Sequence, residues 1–102
     1  MAADREQWAG TSSRRPVLVR LPAVLVALFP GADRLVEIEA ETIDEMIDAL
    51  DERWPGMRDR ICDSMPSIRK HINVFVDGER STLASRLEPG ADVFVFTAMS
   101  GG

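Results

Sequence analysis

Few side chains in this sequence offer chemistry, and those that do stand apart from one another. There is one cysteine, Cys62, one histidine, His71, and no tyrosine. No serine or carboxylate lies at a diagnostic spacing from His71, which therefore reads as a surface or turn residue. A reactive thiolate needs a helix N-terminus or a basic cluster to lower its pKa, and neither is evident around Cys62. A lone cysteine also rules out an internal disulfide and most thiolate metal sites, so no metal is expected. No glycine-rich loop precedes a helix, so nucleotide binding by this chain is unsupported. What remains is Gly101-Gly102, on which the sequence stops.

Two closing glycines have a plain reading, a flexible end, and a chemical one. Glycine lacks a Cβ, so its backbone can thread a narrow channel closed to other residues. A C-terminal carboxylate has an ordinary pKa of about 3.5 and is ionised at neutral pH. It is a poor acyl donor, and joining it to AMP would make it a good one. On this reading the reactive group is the main chain at Gly102, and the fold exists to present it.

The elements that would do so can be read from the pattern. Residues 1–16 show neither strand nor helix period and form an expected polar, flexible leader. Val17-Leu18-Val19-Arg20-Leu21 alternates as a strand that Pro22 should interrupt. The run Ala23 to Phe29 is far too short to span a bilayer, and Phe29-Pro30-Gly31-Ala32-Asp33 supplies turn chemistry. Leu35-Val36-Glu37-Ile38-Glu39 alternates with one wet face.

Thr42-Ile43-Asp44-Glu45 is a capping box opening the clearest helix. Ile43, Met46, Ile47, Leu50 and Trp54 then form one apolar stripe. Asp44, Asp48, Asp51 and Glu52 lie off it, on what reads as a solvent-facing side. Pro55-Gly56 ends the helix, and a short second helix is expected over 57–62. His71 to Val76 reads as a strand, Asp77-Gly78 as a hairpin turn, and Glu79–Thr82 as a short returning strand. Leu83 and Leu87 are placed on a helical turn that plugs the core. Glu88-Pro89-Gly90-Ala91-Asp92 turns the chain into Val93-Phe94-Val95-Phe96-Thr97, the most apolar strand and so a central one.

If the first and last strands pair at the centre of the sheet they run parallel, which the topology permits because a helix lies between them. The expected fold is α+β, a β-grasp with a mixed four- to five-stranded sheet packed on one main helix. The domain spans 17–97 and a tail covers 98–102. Phe75, Phe94 and Phe96 are strand aromatics that could belong to an exposed, partner-binding sheet face.

Composition fits this picture. The 102 residues allow one small domain, and 45% hydrophobic with 28% charged residues is ordinary globular usage. A net charge of −5 works against binding a phosphate backbone and suits a partner with a basic docking surface. The N-terminus carries Asp4 and Glu6 and no apolar stretch, unlike a secretory signal. No membrane association is expected, and a reducing cytoplasm is the default compartment.

In order and spacing, these motifs resemble the ThiS/MoaD sulfur carriers, a ubiquitin-like β-grasp family. The strand at 17–21, the capped helix from Thr42, Asn73-Val74-Phe75-Val76-Asp77, the turn at Glu88–Val93 and the terminal Gly101-Gly102 carry the resemblance, which covers about residues 17–102. Leu21-Pro22 and the long 55–70 connection look closest to the carriers of cysteine biosynthesis.

The resemblance implies a carrier and substrate protein, not an enzyme. An E1-like partner would use ATP to adenylate Gly102, and a persulfide or sulfide donor would displace AMP to leave a thiocarboxylate. A sulfur-acceptor synthase for cysteine, thiamin or molybdopterin would consume it. No cofactor is bound by this chain, and ATP belongs to the partner. Gly101, Ser100, Met99 and Ala98 would be recognised as the tail. The family often has Pro-Ala or Pro-Pro and then Val-Ala before its glycines, whereas this chain has Thr97-Ala98-Met99-Ser100. A protein modifier joined to lysines through Gly102 and a plain β-grasp binding module are the alternatives.

Overall fold

The computed structural model describes residues 15–63 and 67–97. The greater part of the leader, residues 1–14, and the tail, residues 98–102, lie outside the described residues. In chain order the elements are β1 (Val17–Arg20), α1 (Ala23–Leu28), β2 (Leu35–Ile38), α2 (Ile43–Arg53), α3 (Met57–Ile61), β3 (Ile72–Val76), β4 (Glu79–Arg80) and β5 (Asp92–Thr97). They form one five-stranded sheet in the order β2-β1-β5-β3-β4.

The first and last strands do pair at the centre, and they run parallel, with Val19 opposite Val93 and Arg20 opposite Phe94. Every other pairing is antiparallel. The hairpin from β3 to β4 closes where Asp77 and Gly78 take φ of 50° and 88°. Two successive positive φ values are what a type I′ turn requires, and Asp-Gly supplies them at low cost.

One face of the sheet holds the core. Val17, Val19, Val36, Ile38, Ile72, Val74, Val93 and Val95 are all buried. Ile43, Met46, Ile47 and Leu50 of α2 are buried with them in the same core cluster, and Trp54 packs partly buried against it. The stripe at helical spacing therefore does what its period predicts. At the start of α2 the Thr42 hydroxyl accepts from the Glu45 amide at 3.2 Å. The Glu45 carboxylate reaches back one residue further than a standard capping box, accepting from the Glu41 amide at 2.9 Å.

Three stretches add to or correct the sequence reading. The run after Pro22 is a helix, α1, with only Leu25 buried; an unbroken apolar run carries no period from which to read it. Leu83 and Leu87 do reach the core cluster; Leu83 sits in a turn closed by the Ser85 amide donating to the Thr82 carbonyl at 3.0 Å, whereas Leu87 lies beyond that turn on an irregular stretch. That segment is tied to the start of α2 by a bridge from Arg86 to Thr42 and by the Ile43 and Asp44 amides donating to Ser85 and Leu83.

The acidic side of α2 is not simply solvated. Arg58 of α3 donates to Asp44 at 2.6 Å and to Asp48 at 2.8 Å. Asp51 accepts from the amides of Gly56 and Arg58, both at 3.0 Å. It thereby caps the start of α3 from a distance. These carboxylates fasten α3 across α2. Strand ends shift by a residue or two from expectation, most at β4, which stops at Arg80.

Candidate functional site

The strand period that buries one face exposes the other. Outward positions are Leu18 and Arg20 on β1, Leu35 and Glu37 on β2, Asn73 and Phe75 on β3, and Asp92, Phe94 and Phe96 on β5. Among the described residues, no helix is packed on this face. Register sets Arg20 and Phe75 on either side of Phe94, with Leu35 beyond Arg20 and Arg80 beyond Phe75. The result is a band across all five strands.

The three phenylalanines named from the sequence meet in this band. Phe94 and Phe96 stack with centroids 5.8 Å apart and planes 10° apart. Phe75 meets Phe96 edge-on, also at 5.8 Å. Both arrangements are favourable for ring quadrupoles. The Arg20 guanidinium lies 4.8 Å from the centre of the Phe94 ring, within cation–π range. The same group pairs with Asp92 at 3.0 Å, which helps hold it over the ring.

Leu35 and Phe96 are half exposed, at 50% and 47%. On the far side, Arg80 donates to the Asn73 side chain at 2.6 Å. An apolar centre with a polar rim is the layout of a protein-binding patch. The sequence reading found the rings and missed Arg20, Leu35 and Arg80. Their signal was present, since each holds an outward position of a strand.

The patch adjoins the point where the tail begins. Thr97, the last residue of β5, stands opposite Ile72 at the start of β3. Beside it a groove of about 340 Å³ is lined by Arg20, Pro22, Ala23, Arg34, Phe94 and Phe96, among others. The remaining tail calls, Ala98, Met99, Ser100, Gly101 and Gly102, lie outside the described residues.

Cys62 and His71 are not brought together with this patch. Cys62 is buried at the C-terminal end of α3. Burial pushes its thiol pKa up, and the nearby Arg58 charge only partly offsets that. A thiol held protonated is a poor nucleophile. His71 is exposed just before β3. Among the described residues, no group of three or more His, Cys, Asp or Glu could hold a metal ion. None of their helices is long and apolar enough to cross a membrane.

Comparison with known proteins points one way. A family model described as the ThiS family matches residues 19–102. No curated protein sequence gives a significant match. Among solved structures, a chain of the Amycolatopsis orientalis BexX/CysO complex superposes with a TM-score of 0.76 at 27% identity, covering 84% of this chain and 99% of that one. SAMP1 from Haloferax volcanii follows with a TM-score of 0.72 at 26% identity, covering 84% and 98%. Urm1 from Trypanosoma brucei shares the fold, with a TM-score of 0.65 at 16% identity over 87% and 97% of the two chains.

Proposed function

The chain belongs to the ThiS family, and from that premise we propose that it is a sulfur carrier whose Gly102 carboxylate is its working group. The observation that carries this reading is that the family match runs to residue 102, and so includes Gly101-Gly102. The coarser statement, a ubiquitin-like sulfur carrier or modifier, follows from the family and the structural neighbours.

In the proposed cycle, the Gly102 carboxylate attacks the α-phosphorus of ATP within an E1-like partner and pyrophosphate leaves. Hydrosulfide then adds to the acyl carbon and AMP departs, leaving a thiocarboxylate; with a persulfide donor, a thiol reductant releases the same product. The chain's own side chains perform no step. Their role is recognition: Phe75, Phe94, Phe96 and Arg20 present an aromatic patch on the strand that ends at Thr97, and Ala98, Met99, Ser100 and Gly101 would fit the channel that reaches the ATP. Aromatic and arginine side chains are the residues that dominate protein interfaces. The BexX/CysO neighbour is itself a complex with a second protein, which supports reading the patch as a partner surface. Cytoplasmic residence and sulfur delivery to a cofactor or cysteine-forming synthase complete the proposal.

The test is mass spectrometry after incubation with the activating enzyme, ATP and sulfide. The expected product is heavier by one oxygen-to-sulfur exchange, localised to Gly102. Exchange that persists after Gly102 is deleted would sink the assignment. A second reading, conjugation to lysines, is favoured by the neighbour named small archaeal modifier protein 1. A ladder of conjugates in denaturing gels of cell extract, released by no thiol or hydroxylamine treatment, would support it over the carrier.

A further inference from the structure

Beyond Arg80 the chain leaves the sheet and opens a cleft at the β3 edge. β4 is only two residues long. The Ser81 amide still donates to the Val74 carbonyl at 2.8 Å, and the chain then turns away toward α2, where the Ser85 carbonyl accepts from the Ile43 amide. On the other side, the segment before β3 is held to the end of α3 by a bridge between Cys62 and Ile68. Between the two segments lies a cleft of about 480 Å³. It meets the rim of the aromatic patch at Asn73 and Arg80.

Two features of its lining fit one kind of ligand. The first is charge. Arg69, Lys70 and Arg80 line the cleft and, among the described residues, no carboxylate does. Asp63 and Glu79 border it, and Asp63 is occupied in accepting from the Ser67 hydroxyl at 3.1 Å. Arg69 gives its Nε to the Asp59 carbonyl at 2.9 Å, and Arg80 gives one terminal nitrogen to the Asn73 side chain at 2.6 Å. Their other nitrogens, and the exposed Lys70 ammonium, have no partner among the described residues. In a chain of net charge −5, three such cations around one cleft are a local reversal of sign. The second feature is an apolar floor. Ile68 and Leu83 pack partly buried against the core cluster, and both line the cleft beside Ala84.

We propose that this cleft binds a short acidic segment of a partner protein, in which carboxylates flank an apolar side chain. Guanidinium groups hold carboxylates through paired, charge-assisted hydrogen bonds, and the floor of Ile68 and Leu83 takes the apolar side chain. Other anions fit less well. A nucleic-acid strand needs an extended basic track and rings on which its bases stack, and no aromatic residue lines the cleft. A lone phosphate would use the cations and leave the floor bare. Elsewhere the surface repels such a segment, as at the exposed Glu37, Glu39 and Glu52. The cleft therefore also sets the orientation in which the partner approaches. The proposal does not depend on what Gly102 carries.

The experiment is an ¹⁵N NMR titration of the full chain at pH 7 with a seven-residue peptide that places leucine between two runs of three glutamates. The expected result is saturable shifts confined to amides around the cleft, Asn73, Ser81, Thr82 and Leu83 among them. Raising sodium chloride from 50 to 500 mM cuts the screening length from roughly 14 to 4 Å and should weaken the complex about fivefold or more. Lys70→Glu should weaken it about tenfold, and Lys70→Arg should hold it within about twofold. Both changes fall at an exposed position, and the dispersion of the remaining resonances reports that the fold is kept. Glutamine in place of the glutamates should abolish the shifts, and alanine in place of the leucine should weaken them. An absence of cleft shifts at millimolar peptide would overturn the proposal. So would equal shifts from the glutamine peptide or from inorganic phosphate, or tighter binding of a seven-residue oligothymidylate.

Discussion

The two faces of the one sheet follow the same alternation and reach opposite ends. Beneath α2, small branched side chains of four strands interdigitate with Ile43, Met46, Ile47 and Leu50, all four completely buried. On the other face, rings stand where valines stand below. Phe75 and Phe94 are half-buried and Phe96 is 47% exposed, with no element over them among the described residues. Apolar area left in water forgoes roughly 25 cal/mol per Å² that a cover would supply. The difference teaches that stability is concentrated on one side of the sheet, and that the apolar surface of the other side is available for something outside the chain.

The largest effect should come from the covered face. Leu50→Ala removes a side chain with no exposure and leaves a cavity under the sheet, at a cost of about 2–5 kcal/mol. That is a large part of the stability of a domain this size. Urea unfolding should show the midpoint falling with the slope unchanged. A loss well under 1 kcal/mol would mean that the two faces are not energetically distinct.

The open face should respond in the reverse manner. Phe94→Ala loses partial burial, a stacked ring and the seat of Arg20, about 1–2 kcal/mol of folding stability. Phe96→Ala should lose less than about 1 kcal/mol. If the patch docks the activating enzyme, each should weaken that complex by about 2 kcal/mol, roughly 30-fold, as interface aromatics do. Titration by calorimetry reads it directly. Wild-type affinity in both variants would leave the aromatic face without a partner and return the function to the tail alone.

A smaller effect belongs to the fastening of α3 on α2, at the edge of the covered face. The hydrogen bond to Asp44 raises the already high pKa of Arg58, so the guanidinium stays charged. Arg58→Ala should cost about 1 kcal/mol, and the cost should shrink in 500 mM salt. An unchanged cost in salt would assign the loss to packing of the arginine stem.

How much of this contrast was legible in the sequence depends on what carried the signal. Alternation placed Val36, Ile38, Ile72 and Val74 on the buried face, because a strand's period assigns faces before any partner is known. The Asp77-Gly78 turn and the Thr42 cap were legible because their chemistry is local. What escaped was tertiary. No local rule joins Arg58 to Asp44, fourteen residues away, so the acidic face of α2 looked idle. Helix α1 was invisible because six apolar residues in a row carry no period, and its sidedness exists only once Leu25 meets the core. The band through Arg20 required knowing that β1 lies beside β5, which turns three ring positions into a surface.

The smallest predicted effect probes the covered face through its one ionisable thiol. Burial holds Cys62 protonated, with its pKa raised above the ordinary 9.0. A folded-state pKa above the unfolded one means that the folded chain keeps its proton where the unfolded chain loses it. The associated stability is therefore fully present below about pH 9 and is lost as pH rises from there through the folded pKa. Cys62→Ala deletes the titration at the cost of one sulfur atom's packing. The gap in urea midpoint between wild type and variant, measured at pH 7 and again at pH 10, should narrow at the higher pH. All other groups are common to both proteins and cancel. A gap that does not narrow would mean that water reaches the thiol, and that the covered face is open at the end of α3.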